Sequence, residues 1–143
     1  MATRSRKETV RYKKYLNATK NNPDCVFCSI TVGDEQFVRE TKSFKIIRNI
    51  FSYSYWDAQD VVDHLMVVPK KHTDTLNDLN ANEAVEYVDI IGSYDAQGYN
   101  IWARSKDSVI KSVVHQHTHL IKPGSKKQKF VFFTRKPYFR IVR

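Results

Sequence analysis

The sequence predicts an α+β domain, in which an antiparallel sheet carries a helix on one face and a basic extension stands at each end. Short runs rich in β-branched and aromatic residues indicate the strands, which are residues 36–41, 43–50, 64–69, 99–104 and 111–121. Residues 73–97 predict the helix, because apolar residues recur there every three or four positions, at Ala84, Val85, Val88 and Ile91. One long helix among several strands is typical of this layered class.

The 143 residues are enough for one domain and too few for two. We predict a domain over 24–123, a basic N-terminal arm over 1–23 and a basic, aromatic tail over 124–143. Residues 5–20 are predicted as a helix, residues 52–63 as a polar loop and residues 124–129 as a linker. Asn80 or Asn82 is the predicted N-cap of the second helix.

Composition excludes several classes of protein. With 41% hydrophobic and 13% aromatic residues, the chain is too apolar for a disordered protein. No apolar run approaches the roughly 20 residues that a membrane-spanning helix needs. The first residues are basic but lack the apolar stretch of a secretory signal, so we expect a cytoplasmic protein with no membrane partner.

The net charge of +9 belongs to the two ends of the chain. Residues 1–23 hold seven Lys and Arg against one acidic residue, and residues 122–143 hold eight against none. The middle of the chain is acidic, with nine basic and fourteen acidic residues. Two interpretations stand: solvated ends that keep the protein soluble, or a clamp for a polyanion such as nucleic acid, favoured by the aromatic residues among the basic ones.

The two cysteines form a CxxC pair, Cys25 and Cys28, in DCVFCSI. A disulfide over so short a loop constrains little of the unfolded chain. In a cytoplasmic protein this spacing is more often half of a metal site or a redox pair.

Three of the five histidines occupy alternate positions in SVVHQHTHLIKP: His115, His117 and His119. On a strand, alternate side chains share a face, and the flanking valines favour a strand. Three hydrogen-bonded surface histidines are one interpretation. A row of imidazoles also suits metal coordination, or the presentation of a nucleophilic nitrogen and of proton donors to a phosphate.

This segment resembles the histidine-triad family, whose motif is His-x-His-x-His followed by two apolar residues, here Leu120 and Ile121. Three further segments resemble the family: DCVFCSI at 24–30, DHLMVVPKKHTDTLNDL at 63–79 and YNIWAR at 99–104. The similarity spans residues 24–123 and implies the fold of that family.

The resemblance implies a catalytic mechanism. The central histidine, His117, attacks the α-phosphorus of a nucleotide and is transiently nucleotidylated, before water or another acceptor releases the nucleotide. By the same analogy His119 donates to the phosphates or the leaving group, Ser112 hydrogen bonds near the phosphoryl group, and His64 lines the nucleotide site. A neutral imidazole suits the attack, since its unperturbed pKa lies near 6.5.

The family binds the sugar and base against the strand that reads IIRNI here. Asn49 aligns with an acidic residue that binds the ribose hydroxyls, and an amide can replace it at the expense of charge-assisted strength. Ile47 and Ile50 are the expected apolar walls for the base, although one of them can equally be a core residue. The loop before His64 is longer than is usual in the family.

The resemblance also implies a structural Zn²⁺ site. Some members hold zinc with a CxxC pair, the histidine after PKx and the first triad histidine, which are Cys25, Cys28, His72 and His115 here. Such a Cys₂His₂ set closes a tetrahedral site. The alternative is two reduced, buried thiols and a histidine that caps the end of a strand.

Several positions differ from the family pattern. Ile110 and Lys111 replace a glycine and a glutamine before Ser112, and Arg104 replaces an asparagine eleven residues before the triad. Arg104 and Lys111 add cations to the expected phosphate pocket, so either the substrate is more anionic or only binding is retained. Gln116 and Thr118 replace apolar residues.

The resulting prediction is a homodimeric nucleotide hydrolase or nucleotidyltransferase that acts on a dinucleoside polyphosphate, a nucleoside phosphoramidate or an adenylate. The homodimer is implied by the family, through the helix and the strand that precede the triad. Two alternatives remain: an enzyme that removes 5′-adenylate from nucleic acid, and a catalytically silent module that binds nucleotide or RNA.

Overall fold

The computed structural model describes residues 4–19, 24–127, 131–135 and 138–142. In chain order the elements are α1 (Arg6–Thr19), β1 (Phe37–Glu40), β2 (Phe44–Arg48), β3 (Tyr55–Trp56), β4 (Gln59–Pro69), a 3₁₀ turn (Leu76–Asp78), α2 (Ala81–Asp95), β5 (Asn100–Ala103), β6 (Thr118–Lys127), β7 (Val131–Arg135) and β8 (Tyr138–Val142). An antiparallel sheet runs β1-β2-β4-β6-β5 with β3 paired to β4, and β7 pairs with β8. The predicted α+β class and the helix of the N-terminal arm are confirmed.

One face of the sheet packs against α2. Its core is apolar and aromatic, and consists of Phe44, Ile46, Leu65, Val67, Ile90, Tyr94, Tyr99 and Leu120. Burying one such side chain stabilises the fold by about 1.5–3 kcal/mol. Because side chains alternate along a strand, this packing commits the neighbouring residues of β2, β4 and β6 to the other face.

The helix α2 begins after Asn80, one of the two predicted N-caps, which forms a capping box. Asn80 accepts from the backbone N–H of Glu83, and the Glu83 carboxylate accepts from the backbone N–H of Asn80. The predicted apolar stripe is partly wrong, since Ile90 and Tyr94 are the buried residues of α2. Val85 and Val88 are exposed instead. They lie on a helix predicted to contact a second copy, and with one chain described the homodimer stays a prediction.

The other face, which we call the histidine face, carries a row of paired residues. Ile47 of β2 pairs with Met66 of β4, Met66 pairs with His119 of β6, and His119 pairs with Trp102 of β5. Directly paired residues share a face. The N-terminal turn lies beside this row, since Phe27 and Ile30 are in a core cluster with Ile47, Met66 and Val68.

The prediction of a loop over 52–63 is wrong in part, because the segment contains a hairpin. Tyr55 and Trp56 pair with Asp60 and Gln59, and Asp57 and Ala58 at the turn have φ of 47° and 60°. Positive φ at both central residues is typical of the tight turns that match strand twist. Because the segment is polar, its composition did not predict these two strand pairs.

The predicted linker over 124–129 is wrong for residues 124–127, which continue β6. The backbone N–H of Lys126 donates to Asp60, and Gly124 passes so close that a Cβ there would lie 2.5 Å from Asp60 Oδ2. Residues 128–129 lie outside the described residues, as do 1–3 and 20–23 of the arm, and 130, 136–137 and 143 of the tail. Neither described helix has the length and apolar character required to cross a bilayer.

Candidate active site and metal centre

The three triad histidines are buried together, but two of them precede the strand on which they were predicted. β6 begins at Thr118, which pairs with Val67. Continued in that register, Val68 would pair with His117 and Pro69 with Gln116, and Pro69 has no N–H to donate. The backbone N–H of Gln116 therefore bonds to Thr73 O at 2.6 Å, and the chain carrying His115 and His117 leaves the ladder.

His117 presents one ring nitrogen for chemistry. Its Nδ1 lies 2.9 Å from the carbonyl oxygen of His115, and a carbonyl accepts, so Nδ1 carries the hydrogen. Nε2 then holds the lone pair. Burial lowers the pKa of His117, the His115 carbonyl opposes this, and the charges of Lys111 and Arg104 add to it. The ring is 7% exposed and meets Phe27 edge-on at 5.0 Å.

His64 and His119 form a hydrogen-bonded pair whose tautomers can be assigned. The backbone N–H of Tyr53 donates to His64 Nδ1 at 3.3 Å, so His64 Nε2 carries the hydrogen. His64 Nε2 lies 2.9 Å from His119 Nδ1, which therefore accepts. The hydrogen of His119 is left on Nε2, where it can be donated to a phosphoryl oxygen. Burial lowers the pKa of His119 well below 6.5, so the ring is neutral.

Asn49 supports His64. Its Oδ1 accepts from the backbone N–H of Phe51 at 2.9 Å, which orients Nδ2 toward the His64 ring, 3.5 Å from Nδ1, the accepting nitrogen. Of the two predicted apolar walls, Ile47 is 1% exposed and belongs to the core beside Met66, whereas Ile50 is exposed. The alternative that one isoleucine is a core residue is thus the one observed for Ile47. A ribose contact by Asn49 stays a prediction.

The remaining predicted phosphate residues differ in their contacts. Lys111 Nζ donates to Gln116 Oε1 at 2.8 Å and to Asp74 O, and its charge lowers the pKa of His117. The Arg104 guanidinium lies 4.3 Å above the ring of Trp102. Ser112 is exposed, and in the described part of the chain it has no hydrogen bond to a histidine. Its role stays a prediction.

Sequence reasoning missed an aromatic cluster, Tyr53, Trp56 and Trp102, beside His119. Trp102 stacks on His119 with ring centroids 5.1 Å apart, and Tyr53 contacts His64 at 4.8 Å and His119 at 5.8 Å. Trp56 stacks on Tyr53 at 6.0 Å and meets Trp102 at 5.2 Å. Alternation along β5 could have placed Trp102 on the histidine face, but nothing in the sequence showed where the loop would put Tyr53.

The predicted metal ligands come together. Cys25, Cys28, His72 and His115 each offer a ligand atom, all within 4.8 Å of one another. His115 Nδ1 lies 3.3 Å from Cys25 Sγ and 3.4 Å from Cys28 Sγ, and His72 Nδ1 lies 3.4 Å from Cys28 Sγ. Zn–S and Zn–N bonds of about 2.3 and 2.0 Å in a tetrahedron separate S from N by about 3.5 Å. The four residues therefore fit Zn²⁺.

Surrounding groups orient these ligands. His115 Nε2 lies 3.0 Å from Pro69 O, so Nε2–H donates and Nδ1 is free to coordinate. Lys45 Nζ donates to the carbonyl oxygens of Phe27, Cys28 and Ile30, which fixes the CxxC turn. The same residue, His115, thus has Nδ1 available for a metal ion and its carbonyl bonded to His117.

Acid is expected to destabilise the fold through His64. Burial, with a contribution from the charge of Arg4 and against that of Asp63, lowers its pKa to about 3. The unfolded value is near 6.5, so between pH 6.5 and 3 the unfolded state binds more protons and stability falls as the pH falls. From pH 7 to pH 5, His64 should remove about 2 kcal/mol from the free energy of unfolding.

Urea unfolding of the wild type and of His64→Gln at pH 7 and pH 5 measures this loss. Glutamine does not titrate, so the variant should lose about 2 kcal/mol less between the two pH values, whatever its absolute stability. An equal loss in both proteins would show that His64 is not the group responsible.

Comparisons with known proteins give consistent relatives, although no protein-family model matches the chain. The chain is 25% identical over 114 residues to an adenosine 5′-monophosphoramidase of Candida albicans, covering 71% of each, and 26% identical over 128 residues to that of Saccharomyces cerevisiae, covering 82% of this chain and 77% of the other. It superposes on a HIT family hydrolase from Legionella pneumophila with a TM-score of 0.51 and 26% identity, covering 73% and 95%. A zinc-bound histidine triad family protein from Mycobacterium smegmatis matches with a TM-score of 0.50 and 26% identity, covering 80% and 84%.

Proposed function

We propose that the chain is a nucleotide hydrolase of the histidine-triad family, supported by its similar proteins, and that it cleaves the bond between the α-phosphorus of a nucleoside monophosphate and its leaving group. Phosphoramidates are the first substrate class, since two relatives are adenosine 5′-monophosphoramidases. One observation carries the proposal: the His115 carbonyl holds Nδ1–H of His117 at 2.9 Å, leaving Nε2 as the nucleophile.

The first step transfers the nucleotide to His117. Nε2 attacks the α-phosphorus and forms an N–P bond, while the bond from phosphorus to the leaving nitrogen breaks. The leaving nitrogen takes that electron pair and a proton from solvent. The positive charge that develops on the ring is stabilised by the His115 carbonyl, and Nε2–H of His119 donates to a phosphoryl oxygen.

The second step releases the nucleotide. Water attacks phosphorus and gives a proton to solvent, the N–P bond breaks, and its electron pair returns to His117 Nε2. The His64–His119 hydrogen bond keeps His119 in its Nε2–H tautomer throughout, because Tyr53 N–H occupies the far nitrogen of His64. The products are a nucleoside monophosphate and an amine.

The nucleoside lies on the β2 side of His119. Ile50 offers an exposed apolar surface there, and Phe27 contacts the ring of His117. Asn49 keeps hydrogen-bonding capacity for a ribose hydroxyl beyond its bond to Phe51. This placement leaves the β5 side of His119, where Trp102 stands, for the leaving group.

Zn²⁺ would be held by Cys25, Cys28, His72 and His115, and it would supply structural cross-linking. A zinc-bound relative supports this assignment. Bound there, it ties the N-terminal turn to the segment that presents His117.

The purified protein incubated with adenosine 5′-phosphoramidate is expected to release AMP and ammonia, which chromatography and an ammonia assay detect. Release of AMP in water enriched in ¹⁸O should place the label on the phosphate. If the protein binds AMP but turns over neither this substrate nor diadenosine triphosphate, the silent binding module replaces the hydrolase.

A further inference from the structure

Two guanidinium groups lie close enough to His119 for their charges to lower its pKa, and both are held by aromatic rings. Arg4 precedes α1, and its Nε–H donates to the carbonyl oxygen of Phe51 at 2.9 Å. Its Cζ lies 4.2 Å from the ring centroid of Tyr12 and 4.8 Å from that of Tyr53, the ring that contacts His119 at 5.8 Å. Cation–π contacts of this kind restrain a side chain that is otherwise mobile.

Arg104 is the second cation, and it is held by Trp102. Its Cζ lies 4.3 Å from the ring centroid of Trp102, and Trp102 stacks on His119. Tyr53 and Trp102 are themselves in contact, with ring centroids 6.5 Å apart. The aromatic cluster therefore carries one cation from the N-terminal arm and one from the end of β5.

Among the residues that the structure describes, no acidic side chain neutralises either cation. Within the described ranges, Arg4 and Arg104 form no ion pair with a carboxylate, and Asp63, the carboxylate beside His64, is already paired with Arg48 at 3.1 Å. Both side chains are half-buried. Two restrained cations without a counter-charge form a site for an anion.

We propose that Arg4 and Arg104 form a subsite for a phosphate on the leaving group, so that the preferred substrate loses a phosphate-terminated group rather than a neutral amine. This inference rests on the proposed function, because the nucleoside on the β2 side of His119 leaves the Trp102 side to the leaving group. The N-terminal arm then completes the active site. A free nucleotide and a 5′-phosphorylated oligonucleotide share this chemistry.

The ratio of kcat/KM for diadenosine triphosphate, which loses ADP, to kcat/KM for adenosine 5′-phosphoramidate, which loses ammonia, tests the subsite. Arg4→Gln should lower this ratio by about 10- to 100-fold, the value of a charge-assisted hydrogen bond. A 5′-adenylated oligonucleotide in place of diadenosine triphosphate forms a second arm. A loss confined to one of these substrates identifies the source of the phosphate.

Arg6→Gln is the matched control, since it removes the same charge two positions along from an exposed side chain, and it should leave both ratios unchanged. Thermal unfolding checks that each variant folds. The subsite is wrong if the wild type and Arg4→Gln have equal kcat/KM ratios, or if Arg6→Gln lowers the ratio as much as Arg4→Gln does. Neither result affects the proposed hydrolase activity.

Binding of ADP, measured by calorimetry, separates the two proposals. Arg4→Gln should weaken its Kd by about 10-fold relative to the wild type and to Arg6→Gln. If the wild type hydrolyses neither substrate yet this difference is present, the proposed function fails and the anion site stands. If ADP binds all three proteins equally, the anion site is wrong.

Discussion

His117→Gln is expected to lower kcat/KM for adenosine 5′-phosphoramidate by about 10⁴-fold, because removing the nucleophile of a covalent mechanism leaves only binding and electrostatic stabilisation. Glutamine keeps similar length and polarity, so the pocket should remain folded. The loss corresponds to about 5.5 kcal/mol of transition-state stabilisation. Steady-state rates from AMP release, with AMP affinity measured in parallel, give both numbers.

AMP binding in His117→Gln should stay within a few-fold of the wild-type value, which separates catalysis from a collapsed site. Val114→Ala is the local control, since Val114 is exposed on the same segment and should retain activity. Rapid quenching of the wild type should yield a nucleotidylated peptide that contains residue 117 and is absent from the variant. Full activity of His117→Gln would exclude the proposed nucleophile.

The sheet and α2 could be predicted because their apolar residues follow the period of each element. The runs in β2, β4 and β5 lie where strands are observed, and Asn80 and Glu83 form the capping box that begins α2. Val85 and Val88 were predicted to be buried because two valines at helical spacing are typical of a buried stripe, and both are exposed. The buried residues are Ile90 and Tyr94, one of them aromatic with a polar tip.

The segment that carries His115, His117 and His119 shows that the alternation of residues alone does not establish a strand. Alternation predicted a strand through His115 and His117. In the observed register, however, Gln116 would pair with Pro69, which has no N–H for a ladder hydrogen bond. The segment is held instead by Gln116 N–H to Thr73, by Pro69 O to His115 and by the carbonyl of His115 to His117. Because this segment is not paired in the sheet, the carbonyl of His115 is available to His117 Nδ1–H.

Sequence motifs predicted the metal-ligand residues. The residues that were not predicted depend on contacts between segments distant in the sequence. Cys25, Cys28, His72 and His115 were predicted by resemblance, and the structure brings them together. Arg4 lies 47 residues from its partner Phe51, and no local pattern marks such a pair. The same holds for Tyr53, whose backbone N–H fixes the tautomer of His64.

Removal of the proposed Zn²⁺ is expected to have the second large effect. Cys28→Ser should lose about one equivalent of zinc per chain, because a serine hydroxyl does not replace a thiolate ligand. The free energy of unfolding should fall by about 5 kcal/mol, a large share of the 5–15 kcal/mol typical of a domain. Elemental analysis and urea unfolding, with and without chelator, measure the two quantities.

The physical reason is that Zn²⁺, held as proposed, would cross-link the CxxC turn to His72 and to the segment that carries His115. The CxxC turn brings Phe27 and Ile30 against Ile47 and Met66, and without metal it keeps the three hydrogen bonds from Lys45. Without metal, His115 would lose one of the restraints on its ring, which also bonds to Pro69 O, and the carbonyl of His115 holds His117. Activity should therefore fall together with metal content.

Ser29→Ala is the matched control, since Ser29 adjoins Cys28 and its hydroxyl donates only to Val26 O among the described contacts. It should keep its zinc, its stability to within about 0.5 kcal/mol and its insensitivity to mild chelator. Cys28→Ser should be insensitive to chelator for the opposite reason, having no metal left to lose. Unchanged zinc content in Cys28→Ser, or a wild type whose unfolding chelator does not shift, would show that these four side chains do not hold a structural metal.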